Sequence, residues 1–267
     1  MTNILDQKDA AGLCAPLLVP ATRVGLIVPS SNTTMETELP AMFSSQSEAN
    51  GNRYTFHSAR AHMKNVTHDE LLAMADSAGQ CAKDLSDADV SVIAYACLVA
   101  VMAQGPGAHR KAEDIIRRAT EENGYPAEVV SSAGALITTL NRFSAQKVAI
   151  VTPYMRPLTK MVVDYIEAEG IKVLDSVALE VPDNLAVGRL DQSNLPGLAR
   201  NLAREGADVV VLSACVQMPS LAAIQAVEDE LGLPVISAAS STTYETLRKL
   251  GHKPAIKNAG MLLSGSV

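Results

Sequence analysis

Short apolar, β-branched runs alternate along the chain with segments whose apolar residues recur at helical spacing. A run such as Arg23–Pro29, apolar on both faces and ended by proline, is typical of a buried parallel strand. Strands alternating with helices indicate an α/β fold with a parallel sheet. The predicted strands are Arg23–Pro29, Asp89–Met102 and Glu128–Ser131. One helix is predicted to begin at Thr33, which has capping-box spacing to Glu36, and two more are predicted over Val66–Leu85 and His109–Asn123.

The pattern then repeats in the second half of the chain. Val24–Pro29 is similar to Val148–Pro153, and two Ala-Asp-Val segments each lead into an apolar run that reaches a cysteine, Cys97 or Cys215. The offset of roughly 120 residues indicates a duplicated half. We therefore expect two similar Rossmann-like α/β lobes with parallel sheets, facing each other across a cleft. Ligands in such folds bind beyond the carboxyl ends of the strands, so the active site is expected in the cleft between the lobes.

The chain divides accordingly into three predicted parts. Residues 1–22 are expected to form an irregular extension, 23–140 the first lobe, and 141–267 the second, whose C-terminal segment can cross back to the first. The 267 residues carry a net charge of −7 without a basic block, which disfavours nucleic-acid and membrane partners. No export or membrane segment is recognisable, so a cytoplasmic location is expected.

Cys97 and Cys215 are the main chemical candidates, because each follows an apolar strand and precedes a turn into a helix. Unpaired N–H groups and the positive dipole end of a helix lower a thiol pKa towards neutrality. A single cysteine more often packs as a small hydrophobe, but two at matching strand ends favour a functional pair. Cys14 and Cys81 lack this context and are interpreted as a loop thiol and a helix-packing thiol. The four cysteines have no metal-type spacing.

Three polar residues are further candidates. Asn32 can donate to an oxyanion or simply cap a helix, and Tyr154 can donate to a carboxylate or be a partly buried aromatic. Asn184 has the local sequence of a turn residue. No nucleotide or metal motif is present, so neither a cofactor nor a metal is expected. The histidines are interpreted as surface residues: His57, His62, His68, His109 and His252.

At these positions the sequence resembles the maleate cis-trans isomerases of the Asp/Glu racemase superfamily, to which arylmalonate decarboxylases also belong. The resemblance runs from about Arg23 to Gly251. The segments that carry it are Val24–Glu36, Tyr95–Val99, Val151–Tyr154, Asp183–Asn184 and Ser213–Gln217.

The resemblance implies that the two α/β lobes are related by a pseudo-twofold axis, with the active site between them. It also implies a cofactor-independent isomerase, expected to be a homodimer, that acts on a small dicarboxylate through a covalent succinyl-cysteine intermediate. It implies that Cys97 is the nucleophile and Cys215 the proton donor. The implied substrate contacts are Asn32, Tyr154, Asn184 and the backbone amides of Leu98, Val99, Val216 and Gln217.

Other activities remain open at this point. Amino-acid racemases of the superfamily carry a polar Cys-Asn-Thr segment where this chain has Cys97-Leu-Val, and the decarboxylases keep only the second cysteine. A decarboxylase or racemase acting on a related dicarboxylate is one alternative. A dicarboxylate-binding protein without activity, in which the cysteines only pack, is another.

Overall fold

Two four-stranded parallel sheets form the centre of the computed structural model, which describes residues 20–267. Residues 1–19, including Cys14, lie outside the described part. The sheet orders are β2-β1-β3-β4 in the first lobe and β6-β5-β7-β8 in the second, so the two lobes have the same topology. The strands are β1 (Thr22–Pro29), β2 (Tyr54–Ala61), β3 (Val92–Tyr95), β4 (Glu128–Ser131), β5 (Lys147–Thr152), β6 (Lys172–Ala178), β7 (Val209–Ser213) and β8 (Val235–Ser237).

Helices connect successive strands and cover the sheets, which confirms the predicted α/β architecture. They are α1 (Met35–Asn50), α2 (His68–Ser86), α3 (Leu98–Met102), α4 (Ala108–Glu122), α5 (Ser132–Arg142), α6 (Arg156–Ala168), α7 (Asn184–Val187), α8 (Leu195–Asn201), α9 (Leu221–Leu231) and α10 (Ala238–Lys249), with short 3₁₀ turns at Gln192–Asn194 and Met261–Leu263.

The repeat detected in the sequence corresponds to the central strands of the two sheets. β1 and β5 occupy the same place in the strand order, as do β3 and β7. Central strands are covered on both faces, so they are continuously apolar and recognisable in the sequence. The edge strands β2 and β6 are mostly half-buried or exposed, and their mixed composition gave no prediction.

Two local predictions are wrong. The apolar run predicted as one strand over Asp89–Met102 is strand only at Val92–Tyr95, and its end forms α3. Both parts are fully enclosed, and periodicity does not distinguish a buried strand from a buried helix. The expected capping box is absent, because the Asn32 side-chain oxygen accepts from the Thr34 and Met35 amides at 3.0 and 2.9 Å.

The end of the chain contacts the first lobe. The Gln46 side chain of α1 donates to the Lys253 carbonyl at 2.8 Å and accepts from the Ala255 amide at 2.7 Å. On α10, the Thr242 hydroxyl donates to the Ser132 hydroxyl of α5 at 2.9 Å. The last helix therefore ties the lobes together. The division at residue 140 remains a prediction, and the two sheets fall on either side of it.

His109 departs from the predicted surface position. It lies at the start of α4, is 6% exposed, and its Nδ1 is 2.6 Å from the Tyr165 hydroxyl of α6 in the other lobe. Burial lowers the pKa of His109. Of the other histidines, His62 is exposed and His57 and His252 are half-buried, while the surroundings of the His68 side chain are not described.

Candidate active site

A small cavity lies between the lobes at the carboxyl ends of the central strands. Its volume is about 20 Å³, which is space for about one water molecule. The dicarboxylate expected from the sequence is far larger, so binding it would require this cavity to expand. The lining residues are Pro29, Asn32, Met63, Val66, Cys97, Leu98, Val99, Tyr154, Asn184, Cys215, Val216 and Gln217.

This lining contains all nine residues predicted from the sequence. The first lobe supplies Asn32 and Cys97 and the second supplies Tyr154, Asn184 and Cys215, so the site depends on both halves of the duplication. Within the described residues, the lining includes no lysine or arginine. Amide, hydroxyl and thiol groups are therefore the polar groups that could bind an anion here.

Cys97 lies between β3 and α3, where the strand gives way to the helix. The residue is 2% exposed, and burial raises the pKa of its thiol to about 12. A hydrogen bond from the Ala100 amide acts against this rise, while the nearby Cys215 adds to it. The expectation of a thiol pKa near neutrality is thus wrong for the enclosed site, because one amide of a five-residue helix does not offset complete burial.

Cys215 follows β7 at the matching place in the second lobe. It is 3% exposed, and burial raises the pKa of its thiol as well. Three donors oppose that rise: the Tyr154 hydroxyl and the Gln217 and Met218 amides. The Gln217 amide lies 3.3 Å from the sulfur. Of the two thiols, Cys215 therefore has the more complete set of hydrogen-bond donors.

Tyr154 lies just beyond β5 and is 6% exposed. Its hydroxyl contacts the Cys215 sulfur. Burial is the main cause that raises the pKa of Tyr154 well above its ordinary value, and the nearby Cys215 and Cys97 raise it further. The hydroxyl thus keeps its proton at neutral pH and is available as a donor. The ring is thus a buried aromatic, and donation of its hydroxyl to a carboxylate stays a prediction.

Two asparagines also line the cavity. Asn32 is fully buried, and its side-chain nitrogen donates to the Val216 carbonyl at 3.3 Å, in addition to the helix cap already described. Asn184 begins α7 and donates to the Ser31 hydroxyl at 2.7 Å. Each carboxamide nitrogen therefore donates a hydrogen bond to a residue of the other lobe.

Three lining residues were missed from the sequence: Pro29 at the end of β1, and Met63 and Val66 in the segment after β2. The hydroxyls of Ser30 and Ser31 donate to the Met63 carbonyl at 3.3 and 2.6 Å, which draws this segment over the site. Because β2 gave no strand signal, the segment that follows it could not be placed.

The fold and the site together define a two-lobed α/β protein with one enclosed thiol from each lobe at an interlobe cavity. Among residues 20–267, no group of three or more His, Cys, Asp or Glu side chains is arranged to hold a metal ion. Within the same residues, no helix has the length and apolar character needed to cross a membrane.

Comparison with known proteins agrees with this description. The family model for arylmalonate decarboxylase matches residues 24–263. A maleate isomerase from Geobacillus stearothermophilus is 55% identical over 244 residues, which cover 91% of this chain and 97% of that protein. The chain belongs to the arylmalonate decarboxylase family and, within it, to the maleate isomerases.

Solved structures extend the comparison. The maleate isomerase from Pseudomonas putida S16 has a TM-score of 0.91 and 49% identity, covering 93% of this chain and 100% of that one. A cysteine-to-serine mutant of the Nocardia farcinica maleate cis-trans isomerase, which contains a covalently bound succinylcysteine intermediate, has a TM-score of 0.88 and 45% identity. That likeness covers 92% of this chain and 99% of the other.

Proposed function

We propose that this chain isomerises maleate to fumarate, with Cys97 as the nucleophile and Cys215 as the proton donor. One observation carries the proposal: a thiol from each lobe reaches the same enclosed cavity, among neutral hydrogen-bond donors. The succinylcysteine in the Nocardia relative supports covalent chemistry at such a site. The substrate contacts predicted above are part of this proposal.

The reaction begins with addition. The Cys97 thiolate forms a C–S bond to one alkene carbon, and the π electron pair moves to the adjacent carbon and its carboxylate. Asn and Tyr donors together with backbone amides stabilise the negative charge on that carboxylate, as an oxyanion hole does. Cys215 then transfers its thiol proton to the carbanion, which gives the succinyl thioether.

Rotation and elimination complete the cycle. The central carbon–carbon bond is now single, so one carboxylate can swing to the trans position. Cys215, now a thiolate, removes a proton from the carbon that it protonated. The electron pair reforms the double bond, the C–S bond breaks, and Cys97 leaves as a thiolate. Both cysteines return to their starting states, and no atom is gained or lost.

Ionisation of Cys97 is the demanding step before addition. With a pKa of about 12, forming the thiolate at about pH 7.5 costs roughly 6 kcal/mol. A turnover near 10 per second allows a barrier of about 16 kcal/mol, so this cost is compatible with catalysis. Water in the expanded cavity reduces the desolvation that raises the pKa, so Cys97 loses its proton to solvent before the cavity closes on the substrate.

The neutral lining suits this reaction. A dianion paired with arginines at both ends would resist rotation, whereas Asn32, Asn184 and Tyr154 can anchor one carboxylate while the other moves. The same contacts explain how a protein with a net charge of −7 binds an anion: the donors act locally.

The test is to mix the purified protein with maleate and a chelator, and to follow fumarate by proton NMR. The proposal predicts fumarate from the wild-type chain and from Cys81→Ser, a matched control at a buried helix cysteine outside the cavity. Cys97→Ser and Cys215→Ser are expected to lose activity by about 1,000-fold or more. Fumarate formation by Cys97→Ser would contradict the assigned nucleophile, and no fumarate from the wild type would refute the reaction and favour a related substrate or binding alone.

We further propose that the chain is a cytoplasmic homodimer with a lobe boundary near residue 140. Size-exclusion chromatography with light scattering tests the dimer, which a monomeric mass would contradict.

A further inference from the structure

Gln217 has a side chain that is fully engaged by the protein. The residue is 3% exposed. Its Oε1 accepts from the Thr33 amide at 2.9 Å. Its Nε2 lies 2.8 Å from the Asn184 carbonyl, 3.2 Å from the Ser31 carbonyl and 3.4 Å from the Thr33 hydroxyl. The carboxamide therefore binds two segments that are distant in the sequence, Ser31–Thr33 and the start of α7 at Asn184, and it has no spare donor to offer a substrate.

These segments are the ones that carry the candidate catalytic and binding groups. Ser31 and Thr33 flank Asn32 in the first lobe, and Asn184 belongs to the second. The backbone of Gln217 adds a further connection, because its amide donates to the Cys215 sulfur at 3.3 Å. One residue thus joins the proton donor to both asparagines across the lobe boundary.

Gly188 leaves the space that this arrangement needs. A Cβ at position 188 would lie 2.6 Å from the Thr33 hydroxyl and 2.7 Å from the Gln217 Nε2, which is closer than nonbonded atoms approach. The backbone at Gly188 has φ −66° and ψ −10°, which any residue can adopt. The constraint at this position is therefore steric and comes from the Gln217 carboxamide and Thr33.

We propose that the Gln217 side chain, seated against Gly188, is a positioning clamp that holds Asn32 and Asn184 in register with Cys215. This inference rests on the proposed function for its catalytic consequence. The clamp explains why an amide occupies this place: a single group must accept from the Thr33 amide and also donate to the Ser31 and Asn184 carbonyls. Its action on the reaction is through the asparagines and Cys215, and it does not contact the substrate.

The first test replaces the carboxamide by an apolar side chain of similar length, Gln217→Met. We expect kcat/KM for maleate to fall by about 100-fold, the size of effect that a displacement of about 1 Å produces. A crystal structure of the variant should show the Asn32 and Asn184 side chains displaced relative to Cys215. Unchanged positions of the two asparagines would overturn the clamp, whatever the value of kcat/KM.

The second test uses a variant whose function depends on pH. In Gln217→Glu the ionised carboxylate faces the Ser31 and Asn184 carbonyls and cannot donate to them. A protonated carboxyl can donate one hydrogen bond, and burial raises the pKa of such a group. Activity relative to wild type should therefore rise as the pH falls from about 8 to about 6. A ratio that does not change with pH would contradict the required donor.

The third test is a double-substitution cycle with a matched control. Gly188→Ala should lower kcat/KM by about 10-fold in the wild-type chain. The loss should be smaller when Gln217→Ser has removed the Nε2, which is one of the two atoms that the new methyl group meets, the other being the Thr33 hydroxyl. Gly197→Ala, at a helical glycine with no atom near its Cβ direction, should stay within about twofold. Equal losses in both backgrounds would overturn the proposed contact between the two positions.

These outcomes separate the clamp from the reaction. If the wild-type chain produces no fumarate, the proposed reaction fails, and the displaced asparagines in the Gln217→Met crystal structure still decide the clamp. If fumarate forms and the asparagines of that variant do not move, the reaction stands and the clamp is wrong.

Discussion

The pH dependence of Cys97 alkylation measures directly how strongly the closed site suppresses the thiolate. Burial raises the pKa of this thiol to about 12. Only the thiolate reacts with iodoacetamide, so the rate should rise tenfold per pH unit through the neutral range and far into the alkaline one. A free cysteine, with a pKa of about 8.5, levels off above about pH 9.

The expected size of the effect follows from two opposing factors. At about pH 7.5, a thiol of pKa 12 has about 3,000-fold less thiolate than one of pKa 8.5. The more basic thiolate is about 25- to 50-fold more nucleophilic, because nucleophilicity rises with a slope of 0.4–0.5 in pKa. The net result is a rate about 100-fold below that of a free cysteine. Restricted access to a residue that is 2% exposed lowers it further.

The assay is timed alkylation with peptide mapping by mass spectrometry, in a Cys81→Ser background that removes the buried helix thiol. Cys97 should react slowly at neutral pH, with a log-rate slope near one up to the highest pH at which the fold survives. Fast labelling at neutral pH with a plateau below about pH 9 would refute the burial argument. It would show that Cys97 is held as a thiolate at rest.

Two further predictions concern stability. Burial lowers the pKa of His109, so the folded protein keeps this ring neutral while the unfolded chain protonates it below about pH 6.5. The free energy of unfolding should therefore fall as the pH falls below about 6.5, and His109→Gln should flatten this dependence in urea titrations; an unchanged slope would contradict it. Gly134→Ala should destabilise the protein by about 1 kcal/mol in the same titrations. The new Cβ would lie 2.5 Å from a Glu113 oxygen that accepts hydrogen bonds from Ser131, and this overpacking outweighs the gain in helix propensity. Gly197→Ala has open space and should stabilise instead; equal effects at the two glycines would argue against the steric account.

The fold and the cysteine pair were predictable because their signals are local and repeated. Cys97 and Cys215 each follow a central strand, and central strands are continuously apolar. Asn184 was recognised only through the family resemblance, since its own surroundings have the sequence of a turn. Its place in the site depends on contacts with Ser31 and Gln217, which are distant in the sequence.

Other features could not be read from local sequence. The burial of His109 depends on Tyr165, a residue of the other lobe. The raised pKa of Cys97 depends on how completely the lobes enclose the thiol. The sequence showed only that Cys97 lies between a strand and a helix N-terminus, a position that lowers a thiol pKa. Pattern and spacing describe one element at a time, whereas burial is set by the elements packed around it.

The covalent intermediate is the central claim, and intact-protein mass spectrometry of the Cys215→Ser variant with maleate tests it most directly. In this variant a proton from solvent neutralises the carbanion in place of the Cys215 proton, and no Cys215 thiolate is present to remove it again. Elimination is therefore blocked, and the account predicts a mass gain of one maleic acid that peptide mapping assigns to Cys97. Cys97→Ser should show no such gain. An adduct located on another residue, or no adduct under conditions in which the wild type forms fumarate, would contradict the account.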